Sequence, residues 1–465
     1  MQPVAHPQPL GWKAECRETL QLAGPLALAN LLQMMIYAVD VIFIARLGTQ
    51  ALAASSLAIS VFGILVMGLF GLCGGVAPII AAELGARAPA LRAVRRTVRM
   101  ALWVAVASGC VAMAASTQVE VILRATGQDP QLVTMAGGFM GMLLWSIVPM
   151  VMANVLRNFV SALGRPLFAT AITALAIGVN ALGNYLLVFG NWGAPEMGLQ
   201  GSALSTVMSS LFVVAAYVLA IWSDRRLARY HAFGKFWRPD WQRLGQLLRM
   251  GLPIAMTILA EVSVFSSAAF LMGRIGEQEL AAHALALHII SFAFMVPAGV
   301  AQATAIRVGY YFGAREPVGI ARAGWAGIVM GTGFMSLTAL AMLLAPDYLL
   351  ALYIDPWAPA NLALVSLASS YLLVGAAFQL FDGTQVVAAG ALRGLQDTQV
   401  PMWIALFSYW VPGSGLAVGL GFGVAMGGIG VWLGLAAGLV CAACLLLRRW
   451  HRRELLGLIG TTKIL

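Results

Sequence analysis

Charge is what this 465-residue sequence has least of. Asp, Glu, Lys and Arg together make 10% of it, where a soluble domain carries about 25%. Hydrophobic residues make 61%, and mean hydropathy is +0.87. So little charge excludes an ordinary soluble enzyme and a disordered chain alike, because both need polar surface to remain in water. Cysteine is scarce too. Cys16, Cys73, Cys110, Cys441 and Cys444 lie in or beside apolar stretches, so they read as small packing residues rather than redox or metal groups. Neither a G-x-x-x-x-G-K-[ST] phosphate loop nor an H-E-x-x-H pair occurs. ATP is therefore not the direct energy source, and no enzyme activity and no cofactor are expected. Residues 1–19 lack the apolar core of a secretory leader.

What is present is a series of long apolar runs. They fall at 20–45, 54–82, 98–117, 133–156, 167–190, 199–222, 247–273, 283–312, 323–346, 360–392, 400–423 and 426–447. A membrane helix needs about 20 such residues, whereas a barrel strand shows about ten in strict alternation. The pattern predicts an all-α integral membrane protein with twelve transmembrane helices.

Lys and Arg orient them. With the N-terminus on the cytoplasmic side, 25 of the 28 bases fall inside. They include the clusters at 87–99 and 225–249, Arg157, Arg165, Arg393, and the tail with Lys463; only Arg46, Arg124 and Arg274 fall outside. The positive-inside rule thus puts both termini in the cytoplasm. The net charge of +10 is then explained by loops facing anionic lipid, a membrane partner, with no nucleic acid. Trp12, Trp222 and Trp450 near inner ends, with Trp192 and Trp357 near outer ends, suit interfacial anchoring.

The chain also repeats itself. A shift of 228 residues carries Pro25 onto Pro253, Arg46-Leu-Gly-Thr-Gln50 onto Arg274-Ile-Gly-Glu-Gln278, Gly71 onto Gly299 and Gly85-Ala-Arg87 onto Gly313-Ala-Arg315. Six spans per half is an even number, so both halves enter the membrane in the same direction. The expected organisation is two six-helix lobes related by pseudo-two-fold symmetry, with substrate in the cleft between them. The segments are a cytoplasmic 1–19, a first lobe 20–222, a basic linker 223–246, a second lobe 247–447 and a basic tail 448–465.

Three acids lie deep in apolar runs: Asp40, Glu261 and Asp382. A charge at the bilayer centre costs at least about 2.5–3.5 kcal/mol, so such groups face a cavity or a partner. Residue counts place no base at matching depth, which leaves them protonated, cation-bound or hydrated. At 1.5 Å per residue, Glu261 lies about 20 Å before Arg274 and Asp382 about 16 Å before Arg393, a shared level in the second lobe. Asp40 lies about 9 Å before Arg46, nearer the outer face of the first lobe. Asn180 and Asn184 share a helix face near that level, and Thr206 begins the next span. A carboxylate with amide and hydroxyl oxygens suits Na⁺ or a proton-linked network. A Na⁺ site is expected at Glu261 and Asp382, or at Asp40 and Asn180. His283 and His288 start a span and read as interfacial packing. Pro25 and Pro253 each remove a helix hydrogen bond and are hinge candidates.

These features resemble the multidrug and toxic compound extrusion (MATE) family, its NorM-type bacterial branch above all, over residues 15–450. The carriers are Val39-Asp-Val-Ile-Phe-Ile-Ala-Arg-Leu-Gly48, Ala260-Glu-Val262, Asn180-Ala-Leu-Gly-Asn184, Gly201-Ser-Ala-Leu-Ser-Thr206 and, most specific, Phe381-Asp-Gly-Thr-Gln-Val-Val-Ala-Ala-Gly-Ala-Leu-Arg-Gly394. The resemblance implies a secondary transporter in the bacterial inner membrane, a monomer that exports cationic drugs or dyes in exchange for Na⁺ or H⁺. It implies one cation site at Glu261 and Asp382 and another at Asp40, Asn180, Asn184 and Thr206. The alternative is a flippase for a lipid-linked glycan, which would want several bases in its cleft.

Overall fold

The computed structural model describes residues 9–87, 89–125 and 127–459. Lys463 and the outermost ends of the expected terminal segments lie outside the described residues. Twelve helices are long and apolar enough to cross a membrane, and among the described residues there is no strand. They are α1 (Trp12–Ala45), α2 (Thr49–Ala86), α3 (Leu91–Ser116), α4 (Pro130–Ala162), α5 (Pro166–Phe189) and α6 (Gly198–Ser223). The second six are α7 (Trp241–Ile275), α8 (Glu277–Ala314), α9 (Pro317–Leu344), α10 (Pro359–Gly394), α11 (Gln399–Gly423) and α12 (Gly427–His451).

Each helix matches one apolar run but most extend beyond it. Several begin on a proline, as α4, α5, α9 and α10 do; proline loses nothing at a first turn, where its N–H would have no partner. The ends reach past the apolar run because a helix continues through polar residues once it is nucleated. α11 widens into π-helical turns in its middle, over Tyr409–Ser414, where Pro412 cannot donate the regular bond, and again at its end, over Gly419–Gly423.

By its own packing the chain divides into two compact units, Met1–Ala27 with Met256–Leu465, and Leu28–Ala255. Both boundaries fall inside a helix, two residues after Pro25 in α1 and two after Pro253 in α7. The 228-residue shift that relates the sequence halves also relates the boundaries. The first part of α1 belongs with the second-half helices, and the first part of α7 with the first-half helices.

In the second-half unit α10 is central, packed on α8, α9 and α12. Glycine permits this: a Cβ at Gly390 would stand 2.6 Å from the Ala301 carbonyl oxygen. Such contacts between small residues hold membrane helices together where no hydrophobic effect can. The start of α1 is fastened here by Glu15, fully buried, which accepts two bonds from Arg307 at 2.8 and 2.7 Å and one from the Tyr311 hydroxyl at 2.9 Å. In the first-half unit α4 takes the central place, against α2, α3 and α6. Arg243 on α7 pairs with Glu83 on α2 at 2.5 Å. Residues 224–240 run over α3, where Arg99 and Trp103 donate to the carbonyls of Lys235 and Phe236, and Arg96 pairs with Asp240.

Two tryptophan and histidine expectations change. Trp12, Trp222, Trp192 and Trp357 are exposed, but Trp450 is fully buried, its ring seated on Gly324. His283 is buried against Trp432 rather than interfacial, because α12 covers that face of α8.

Candidate functional site

In the first-half unit the acid expected to stand unpaired is surrounded by donors. A Cβ at Gly201 would run into the backbone of Leu187, and one at Gly183 into the side chain of Ser205, so α5 and α6 approach closely. Phe43 of α1 packs on Phe189 of α5, ring centroids 6.0 Å apart. This packing delivers three side chains to Asp40. Asn180 Nδ2 and Asn184 Nδ2 donate to its Oδ1 at 3.0 and 2.7 Å, and Thr206 Oγ1 donates to Oδ2 at 3.1 Å. Ser205 braces the group by donating to the Asn180 carbonyl at 2.8 Å.

All three partners of Asp40 are neutral donors. Their pattern suits an acceptor-only carboxylate, and they strengthen its hydrogen bonds without cancelling its charge. Among the described residues no cation lies within ion-pair distance of it. The buried Asn184 Oδ1 is left without a donor, a second oxygen that a cation could use. Asp40 also lines a cavity of about 90 Å³ with Gln33, Tyr37, Asn154, Arg157 and Tyr217.

Arg157, which residue counting assigns to the inner side, lies within a helix and reaches the cavity at the level of Asn30, ten residues before Asp40. The apolar run stops at 156, yet α4 continues to Ala162 and keeps Arg157 on the cavity wall, its guanidinium bonded to Asn30 Oδ1. Arg393 behaves alike: the run stops at 392, α10 reaches Gly394, and Arg393 acts electrostatically on Glu261. A long cationic side chain also reaches well beyond its own Cα. The polar triplet Asn154, Arg157 and Asn158 within an apolar span was the signal available in the sequence.

In the second-half unit Glu261 of α7 and Asp382 of α10 lie close enough to act on each other electrostatically. Asp382, 4% exposed, accepts from Gln385 Nε2 at 3.3 Å, and Gln385 in turn accepts from the Tyr409 hydroxyl at 3.0 Å. One turn earlier Gln379 accepts from Thr338 at 2.7 Å. Gln385, Tyr409 and Gln379 escaped the sequence reading because amides and phenols on apolar helices carry no fixed spacing. The structure thus brings Asp40, Asn180, Asn184 and Thr206 to one point and Glu261 and Asp382 to another. No set of three His, Cys, Asp or Glu side chains suited to a metal occurs among the described residues, so a cation here would need amide, hydroxyl or backbone oxygens in addition to one or two carboxylates. Pro25 and Pro253 lie within α1 and α7, 15 residues before Asp40 and eight before Glu261.

Comparison with known proteins gives concordant results. The family model MatE matches twice, at residues 25–186 and 253–418, the two matches starting on Pro25 and Pro253. The chain is 45% identical over 444 residues to "Probable multidrug resistance protein NorM" of Mesorhizobium japonicum, covering 95% of each chain. It is 42% identical over 441 residues to the protein of the same name from Brucella suis, covering 95% of this chain and 94% of that one. Among solved structures, the eukaryotic MATE transporter AtDTX14 matches with a TM-score of 0.85 at 19% identity, over 95% of this chain and 96% of that one, a likeness of fold.

Proposed function

Because the chain belongs to the MatE family of multi-pass membrane transporters, which are not enzymes, we propose that it is a secondary active multidrug efflux transporter. In this reading it exports lipophilic organic cations and dyes in exchange for Na⁺ or H⁺, with no cofactor. It does so as a monomer in the bacterial inner membrane, both termini cytoplasmic. The lobes are 20–222 and 247–447, joined by the linker 223–246 and flanked by the cytoplasmic segments 1–19 and 448–465. They expose their binding groups alternately to the two sides, and α1 and α7 bend beside Pro25 and Pro253, where the packing of the chain changes units.

The observation that carries this reading is Asp40: a buried carboxylate on a cavity wall, held by three neutral donors. Its charge has to be balanced by something that enters, and a small cation and a cationic drug are both suited to that place. Glu261 and Asp382 form the second such group, where two acids close together favour a proton or Na⁺ shared between them. Asp40, Asn180, Asn184 and Thr206 bind the coupling ion in the first lobe, and Glu261 and Asp382 bind it in the second. Ion entry from outside releases the drug there, and linkage requires that bound drug weaken ion binding in return.

The flippase alternative gains little from Arg157. A pyrophosphate wants several bases, and this cavity offers one, with a carboxylate on the same wall. The test is reconstitution in liposomes with separately imposed Na⁺ and pH gradients, following efflux of ethidium. Efflux driven by either gradient supports the reading; efflux indifferent to both contradicts it.

A further inference from the structure

The buried polar groups that this mechanism leaves unused gather where α8 and α12 begin, against Tyr371 three turns into α10. His283 is 1% exposed, and neither of its ring nitrogens has a hydrogen-bond partner. Tyr371 and Trp432 are fully buried, with Tyr371 Oη and Trp432 Nε1 likewise unpartnered. Glu279 Oε2, one helical turn before His283, is buried without a donor. Native structures leave few buried polar atoms unsatisfied, so five in one place call for an explanation.

They converge. The His283 ring stands edge-on to Trp432, centroids 5.4 Å apart, and Tyr371 stacks on the same indole at 5.6 Å. A Cβ on Gly428, in the first turn of α12, would collide with the Tyr371 hydroxyl and stand 2.8 Å from Glu279 Oε2. The phenol and the carboxylate therefore meet at a point left open only because residue 428 is glycine.

The mixture of groups selects what can bind. Acceptors are the Glu279 oxygen and one imidazole nitrogen; donors are the Tyr371 hydroxyl, the Trp432 N–H and the other imidazole nitrogen. An indole N–H cannot ligate a metal, and Glu279 and His283 alone make an incomplete metal shell. A water carrying an exchangeable proton satisfies donors and acceptors together. We propose that Glu279, His283, Tyr371 and Trp432 form a proton-binding site, in which carboxylate and imidazole share one proton taken from and returned to bulk water. It is separate from both acid groups described above.

Few other charges face it. The acid and base of α10, Asp382 and Arg393, lie 11 residues or more beyond Tyr371. The charged residues of α12, Arg448, Arg449 and His451, stand at its other end, and α9 contributes only Arg322 near its far end. Arg274 closes α7 nearby, α8 adds Glu277 and His288, the latter beside Tyr353, and the segment before α10, packed on the same core, adds Asp347 and Asp355. In the orientation proposed above this end faces outward, so occupancy follows the outer pH. Its effect on transport rests on the export reading.

The test uses the full chain in lipid nanodiscs with labelled histidine, the His283 signal being identified by its loss in H283N. Ring NMR and carboxyl infrared bands are followed between about pH 5 and 9, the range in which an imidazole responds. The His283 signal and a carboxyl band absent from E279Q are expected to change together with one midpoint. The ring titration is expected to move in E279Q and in Y371F, which keeps the aromatic stack. A His283 ring that stays in one state, or titrates identically in wild type and both variants, overturns the proposal. In liposomes E279Q is expected to export ethidium at wild-type level at a fixed pH, while the midpoint of its dependence on outer pH moves away from that of the wild type. Failure of the wild type itself to export would instead defeat the export reading and leave the proton measurement standing.

Discussion

Asn184 donates to Asp40 at 2.7 Å across 144 residues of sequence, the shortest of the three bonds that hold this carboxylate. A hydrogen bond to a charged group is worth about 1.5–3 kcal/mol. Asn184→Leu is therefore expected to weaken coupling-ion binding roughly ten- to a hundred-fold, read by calorimetry on the purified protein, with helix content by circular dichroism unchanged.

In the other group, Asp382→Asn removes the charge while keeping size and the contact to Gln385. Ion-driven ethidium efflux from that variant should fall to background although the protein still elutes as a folded species. Tyr409→Phe leaves the acid in place and removes only the support of Gln385, so it should slow efflux without abolishing it.

Glu15 and Arg243 occupy positions related by the 228-residue repeat, and so do Tyr311 and Glu83. Each first helix is therefore fastened by a polar contact at an equivalent place, with the charge reversed. The two fastenings differ in burial. Breaking a buried pair by removing one partner costs about 3–5 kcal/mol, so Glu15→Ala should strongly lower the unfolding temperature in detergent. Arg243 and Glu83 are 21% and 24% exposed, and a partly solvated pair is worth about 0–1 kcal/mol. Glu83→Ala should change stability little, and high salt should erase even that difference.

Asp240 lies between the membrane helices and offers a pH effect with a defined sign. Partial burial resists its charge, but the hydrogen bond and charge of Arg96 and the contacts of Arg243 outweigh this and hold its carboxyl below the usual carboxylate range. A depressed value means stabilisation that is present above the unfolded value of about 3.9 and is lost as pH falls through the folded one. Proteolytic nicking within 224–240 should rise under acid conditions in the wild type. Asp240→Asn should show the higher nicking already at neutral pH, with a weaker dependence on pH.

How much of this was legible in the sequence depends on the kind of signal. The twelve helices could be read because each needs a long apolar run, and the repeat because Pro25, Gly71 and Gly85-Ala-Arg87 return at one offset. Asp40, Glu261 and Asp382 could be singled out because an acid in an apolar run is costly wherever it points. The cluster around Asp40 followed from helix spacing, since Asn180 and Asn184 share a face. That Arg157 and Arg393 sit on helices rather than in loops was hidden because an apolar run ends before its helix does. The burial of His283 and Trp450 could not be foreseen: one depends on Trp432 of a neighbouring helix and the other on Gly324 of another, and that is a property of packing rather than of one segment.

The central claim is that a coupling ion and a drug compete for the same buried carboxylates. The most direct measurement adds saturating ethidium to purified protein loaded with ²²Na⁺, or lightly buffered to reveal proton release, in wild type, Asp40→Asn and Asp382→Asn. The account predicts that drug expels ion from the wild type and expels less from each variant. Ion occupancy that stays constant while drug binds would contradict it.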